Sequence, residues 1–144
     1  MSDRFTERMT DKRVAHDVNV LADFIVIWCD AHHADAERRS VESPASALGV
    51  YGTHVPVLCA ECEEHLTYAE KRRALCPKEP KPFCAHCDTH CYKPDERVWQ
   101  QEMMRFSGPR SWSRGHALDG IRHLIEGRKY RKAAARSGAA AQQK

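Results

Sequence analysis

The chain has 144 residues, 42% of them hydrophobic, with a mean hydropathy of -0.66 and a formal net charge of +3. That is room for one domain with a small core for its length, and the longest apolar run, Phe24 to Cys29, is far short of the ~20 residues a membrane-spanning helix requires. The charge is unevenly spread: ten of the 23 Lys/Arg but only two of the 20 Asp/Glu lie from Arg105 onward, leaving 13 against 18 before it. An acidic front and a basic back admit an acidic partner without requiring one.

Residues 1 to 11, MSDRFTERMTD, read as a polar arm, unlike the apolar core of a secretory signal. From about Lys12 to His33 the pattern is helical. Val14, Val18, Leu21, Ile25, Cys29 and His32 recur at spacings of three and four, which predicts one buried face, widened by Val20, Phe24, Ile27 and Trp28. Taken alone, Cys29 is a small buried hydrophobe. His32 and His33, one turn later on or beside the same face, make it a candidate ligand as well.

Residues 34–57 hold Pro44, Gly49, Gly52 and Pro56 without periodicity and read as a long loop, with Val50 and Tyr51 as a local anchor. A second helix is expected from about Glu61 to Leu75, stopped by Pro77, with Leu66, Ala69 and Leu75 as its apolar positions.

Six of the seven cysteines lie between Cys59 and Cys91. In a reducing compartment such density argues for metal rather than disulfides. A helix of about 14 residues is roughly 20 Å long, so Cys76 at its far end cannot share an ion with Cys59 and Cys62 at its start. The thiols therefore divide between two places. If the first two helices form an antiparallel hairpin, Cys29 with His32 or His33 meets Cys59-x-x-Cys62 in a Cys3His set suited to tetrahedral zinc. His65, one turn after Cys62, is a rival ligand, but reads better as a solvated helical histidine. The second set is Cys76, Cys84, Cys87 and Cys91, whose last three thiols have the compact spacing of cluster-binding ferredoxins. It suits an iron–sulfur cluster or structural zinc, and spacing alone does not choose between them. His86 and His90 read as hydrogen-bond donors around it.

Beyond Cys91 a third helix is expected, with Pro94 in its first turn and Asp95 and Glu96 facing the dipole. Trp99, Met103 and Phe106 form its core stripe, and Gly108-Pro109 closes it. Arg105 and Arg110 flank that stop and are candidate contacts for an anion or a partner. A last helix over Ala117 to Ile125 should turn Leu118, Ile121 and Leu124/Ile125 inward. The remainder, RKYRKAAARSGAAAQQK, is basic, Ala-rich and without an apolar stripe, so it reads as a flexible tail. Without aromatic interleaving or a reading motif, such a tail offers at most weak attraction to nucleic acid.

The runs WCDAHH, CAECEEHLTYAEKRRALCPKEPKPFCAHCDTHCYKPDER and MMRFSGPR resemble the nitrous oxide-stimulated promoter family of small bacterial proteins. Cys29, His32, His33, Cys59, Cys62, Cys76, Cys84, Cys87, His90, Cys91, Tyr92, Gly108, Pro109 and Arg110 fall on positions of the family pattern; Trp28, Asp88-Thr89 and Ser111 depart from it. The resemblance implies a cytoplasmic role in nitrosative stress, a setting in which iron–sulfur clusters and zinc thiolates are targets of nitric oxide.

The expected architecture is mainly α. Residues 1–127 form a single helical domain, built on a hairpin plus a cysteine-rich metal-binding loop, and 128–144 form the basic tail. The expected function is that of a non-enzymatic metal-binding stress protein carrying an iron–sulfur cluster or Zn2+. The alternative is a structural zinc module that engages a protein or nucleic acid through its basic half. Paired catalytic carboxylates, a phosphate-binding glycine loop, a nucleophile elbow and a dinucleotide fingerprint are all missing from the sequence, although a cluster enzyme would need none of them.

Overall fold

In a computed structural model of the chain, residues 3–76 and 92–114 are described, together with helical positions 121, 124, 125, 128, 129, 131 and 132. The elements in order are α1 (Asp3–Met9), α2 (Lys12–His32), β1 (Arg39–Ser40), α3 (Pro44–Ala47), β2 (Val57–Leu58), α4 (Ala60–Ala74) and α5 (Pro94–Arg110), which passes into a 3-10 turn at Ser111–Arg114. The fold is mainly helical, as the periodicity predicts.

The centre of the fold is α2. Asp11 caps it, its carboxylate accepting from the Arg13 and Val14 amides at 2.8 and 3.5 Å. The Arg13 amide bond, working against burial, holds the Asp11 carboxyl below its ordinary range. Val14, Val18, Ile25 and Cys29 are buried at the expected spacing, but Ala22 fills the stripe where Leu21, half-buried, was expected, and His32 is exposed; α4 and α5 pack on this face. Ile25 and Leu66 are both fully buried. Each such side chain contributes about 1.5–3 kcal/mol of burial, and truncation to Ala costs about 2–5 kcal/mol because the site only partly collapses.

The α2 and α4 helices run antiparallel, and both ends of the pair show it. At the far end Arg73 of α4 donates to Asp17 of α2 at 2.6 Å, while Arg8 of α1 donates to the Ala74 carbonyl at 3.0 Å. At the near end the last turn of α2 meets Cys59 and Cys62.

The first eleven residues are not a polar arm. Phe5 and Met9 of α1 are each 5% exposed, four residues apart on one face, and they extend the core that Val14 begins. Two apolar residues in seven were too few to show as a stripe.

Residues 34–57 are more structured than a loop. The β1 and β2 strands pair antiparallel, Arg39 opposite Leu58 and Ser40 opposite Val57, and Val41 donates to the Pro56 carbonyl at 2.9 Å. Between them Ser43 caps α3, and Gly49 and Gly52 take positive φ, 77° and 57°, where a side chain would be strained. Tyr51 is an anchor, as expected, but a polar one. Its hydroxyl and that of Ser43, the latter at 2.7 Å, both donate to one oxygen of the fully buried Glu70. Glu63 adds two further ties, accepting from the Glu42 amide at 3.1 Å and from Arg39 at 3.3 Å.

Gly108-Pro109 does not end α5. The helix continues through both to Arg110. Pro109 sits in the last turn, where its missing N–H removes a single ladder bond, and the Ser107 hydroxyl, donating to the Phe24 carbonyl at 2.8 Å, fastens that turn to α2. The inward helix expected after it is also corrected. Positions 121, 124 and 125 are helical, but Ile121, Leu124 and Ile125 are 45%, 62% and 50% exposed. Leu118 lies outside the described residues, as does most of the tail. Positions 128, 129, 131 and 132 are helical and exposed. No described helix is long and apolar enough to cross a membrane.

Candidate metal centre

Two local features deliver four donors to one point. The α2 helix ends at His32, with His33 as its C-cap, so Cys29 and His33 are separated by one turn and only about 40° around the helix. The β1–β2 pairing returns the chain from the end of α2 to Leu58, and Cys59 is the N-cap of α4 with Cys62 one turn inside it. The ligand-capable atoms of Cys29, His33, Cys59 and Cys62 all lie within 4.8 Å of one another. His33 Nδ1 is 3.3 Å from both the Cys59 and the Cys62 sulfur.

Those separations can be compared with zinc chemistry. Tetrahedral bonds of about 2.3 Å to sulfur and 2.0–2.1 Å to nitrogen place donors roughly 3.6–3.8 Å apart. The cluster falls around that value without rearrangement of the backbone, and all four donors are of the kinds zinc prefers. The other ring nitrogen, Nε2 of His33, stands 3.7 Å from a carboxylate oxygen of Glu61. A carboxylate behind the second nitrogen favours the tautomer that turns a lone pair toward the sulfurs.

The sulfurs are enclosed: Cys29 and Cys62 are fully buried and Cys59 is 5% exposed. Burial pushes the Cys29 and Cys62 thiols up, Cys62 strongly, with the neighbouring sulfurs adding repulsion. Burial also works on Cys59, but the Cys62 amide and thiol, the Cys29 thiol and the Glu61 amide outweigh it, and Cys59 is lowered. A first negative charge is thus favoured on Cys59 over its two neighbours, and a cation between the sulfurs would favour all three as thiolates.

Of the two histidines the structure selects His33. The His32 ring is stacked on Trp28 with centroids 3.8 Å apart, meets the edge of Phe106 at 4.7 Å, and has Nδ1 at 3.0 Å from the Trp28 carbonyl. It is turned to the outer face of the α2–α5 contact, away from the sulfurs. His65 is neither a ligand nor solvated, since it lies flat on Trp99 at 3.6 Å and pairs with Glu96 at 2.8 Å, tying α4 to α5.

Cys76 is half-buried past the C-terminal end of α4, a helix length from the four-donor cluster. Its expected partners Cys84, Cys87 and Cys91, with His86 and His90, lie outside the described residues. Arg105 is exposed, and Arg110 lies over the Phe106 ring at 3.8 Å while donating to the Phe106 carbonyl at 2.7 Å. Two side chains beside the centre had no signal in the sequence. Arg38 donates from one nitrogen to the Cys29 and His33 carbonyls, both at 3.3 Å, and from the other to Asp30. In the sequence Glu61 reads only as the expected start of the second helix, with no role at the centre.

Comparison with known proteins agrees with the motif reading. No solved structure matches the chain significantly. A protein of Escherichia coli strain K12, named as the uncharacterized protein YgbA, is 37% identical over 83 residues, covering 55% of this chain and 70% of that protein. The family model described as nitrous oxide-stimulated promoter matches residues 12–136, most of the chain, so the chain belongs to the nitrous oxide-stimulated promoter family.

Proposed function

We propose that the chain is a cytoplasmic zinc-thiolate protein of the bacterial nitrosative stress response, acting through its metal centre rather than by turning over a substrate. The observation that carries this is the convergence of Cys29, His33, Cys59 and Cys62 within 4.8 Å. Three sulfurs and one imidazole in that volume favour zinc, and the family's response to nitrogen oxides supplies the setting. When bound, zinc would hold all three sulfurs as thiolates, the nucleophilic form.

A thiolate reacts with an S-nitrosothiol by taking its nitrosonium group: a new S–N bond forms on the cysteine, the donor's S–N bond breaks, and the donor leaves as thiolate. The nitrosated sulfur is a poor ligand, so the step would release the ion. Cys76, Cys84, Cys87 and Cys91 are proposed, on spacing, to hold a second centre of iron–sulfur or zinc character.

The enclosure of the sulfurs favours a second reading. A closed set of four protein ligands is the form of structural zinc sites, and the exposed Ile121, Leu124 and Ile125 beside a basic stretch would then engage a partner. Anaerobic purification with metal analysis, followed by addition of S-nitrosoglutathione in the presence of a chromophoric zinc indicator, separates the two. Zinc released in proportion to nitrosated cysteine supports the reactive reading. Retained zinc supports the structural one, and a chain that takes no metal overturns both.

A further inference from the structure

We infer that Arg38 is the positioning and charge-compensating residue of the Cys29–His33–Cys59–Cys62 centre, an inference that rests on the metal reading above. At the end of α2 the Cys29 carbonyl accepts from the His33 amide at 2.8 Å and the His33 carbonyl from the Ala36 amide at 3.1 Å, and each oxygen keeps a second lone pair for a further donor. One guanidinium nitrogen of Arg38 lies 3.3 Å from the carbonyls of both Cys29 and His33, the two residues of α2 that offer ligand atoms. The other nitrogen is fastened to the Asp30 carboxylate. A planar fork that bonds in two directions can hold the turn carrying Cys29, Asp30 and His33 against the segment that carries Arg38, whereas the point charge of a lysine cannot.

The second contribution is electrostatic. Zinc with three thiolates and one neutral imidazole carries a net charge of -1, in a site whose sulfurs are almost fully enclosed. The Arg38 guanidinium, with 23% of its side chain exposed, brings its positive charge to the backbone of Cys29 and His33, two of the four donor residues. It has no lone pair, so it balances that charge without competing for the metal. Balanced sulfurs hold their electrons more tightly, which makes them poorer nucleophiles and moves sulfur-to-metal charge transfer to higher energy.

The test uses the full chain with Arg38→Met and Arg38→Lys. Zinc affinity is measured by chelator competition, and the charge-transfer band that Cys62→Ser abolishes is followed after Co2+ loading. Arg38→Met is expected to bind zinc 10–100-fold more weakly, in the range of lost outer-sphere partners, with the band moved to longer wavelength. Arg38→Lys should keep the band near its wild-type position and lose only part of the affinity. Affinity and band unchanged in Arg38→Met would overturn the inference, as would equal losses in both variants with no movement of the band. If Arg38→Met does not fold, Asp30→Ala carries the test, because it leaves the guanidinium in place and removes the acceptor that anchors it: weaker zinc binding supports the inference and unchanged binding overturns it. A wild-type chain that takes zinc while the variants match it refutes Arg38 alone; a wild type that takes none refutes the metal reading with it.

Discussion

Cys62→Ser is the most direct perturbation of the proposed centre. Cys62 is fully buried, one turn inside α4, with its sulfur 3.3 Å from His33 Nδ1. Serine keeps the shape and removes the thiolate. Zinc bound to the folded state alone stabilises it by about 4 kcal/mol when its free concentration is 1,000 times Kd. For a chain of this size one kcal/mol moves Tm by roughly 3–5 °C. The wild type should therefore melt about 12–20 °C higher with zinc than after chelation, and Cys62→Ser should lose that increment together with one equivalent of metal. Thermal melts followed by circular dichroism, with metal content measured on the same samples, provide the assay. A wild-type Tm indifferent to zinc and chelator would refute the reasoning, and so would a serine variant that keeps both the increment and the equivalent.

Other expectations follow from the rest of the fold. Glu70 is raised by burial, against hydrogen bonds from Tyr51 and Ser43 that lower it. The folded state thus holds its proton more tightly than the unfolded chain does, so the stability this confers is full below the unfolded carboxylate value of 4.5 and is lost as pH rises through the folded value. Glu70→Gln should flatten that part of the stability–pH curve in denaturant titrations, and an unchanged slope would show that Glu70 holds its proton equally in the folded and unfolded chain. Asp17→Ala strands the nearly buried Arg73 at the end of the hairpin remote from the cysteines. With Asp17 37% exposed, a loss of about 1–2 kcal/mol after screening is expected in urea unfolding, with zinc content unchanged. Cys87→Ser, on spacing alone, should remove one metal equivalent and spare the Cys3His set; loss of both or of neither by metal analysis contradicts the division of thiols.

The parts of this molecule that were legible in its sequence are those set by local periodicity. The α2 and α4 helices, the buried face Val14–Cys29 and the need to split the thiols at the length of one helix all follow from 3.6-residue spacing and 1.5 Å rise. The hairpin follows from the ligand chemistry, because Cys29 and Cys59 are 30 positions apart and only a turn back of the chain brings them together. The choice between His32 and His33 was not legible. Both lie within about 60° of Cys29 around the helix, and the decision rests on a tertiary event, the capture of the His32 ring between Trp28 and Phe106. The polar ties of residues 34–57 were hidden for a related reason: Ser43, Tyr51 and Glu70 have no sequence relation, and only burial makes them a set. Pro109 misled because a proline breaks a helix through one missing bond, and in a last turn held from outside that loss is small.

The enclosure of the sulfurs bears on whether the proposed centre reacts or merely clamps. A nitrosating reagent needs an approach to sulfur, and Cys29 and Cys62 offer none from solvent, while Cys59 offers very little. The open side is the imidazole of His33, with 24% of its side chain exposed and the exposed carboxylate of Glu61 beyond it. If a metal ion is held there, histidine would be the neutral donor of the four, and a thiolate would be held more strongly by the attraction of opposite charges in a poorly solvated site. Among the four donors His33 is the one that solvent reaches, and its neighbours, Arg38 bonded to its carbonyl and Glu61 3.7 Å from its ring, would set how freely the imidazole moves. Reactivity and rigidity are then governed by the same few contacts at the end of α2, while Arg73 and Asp17 keep the far end of the hairpin closed.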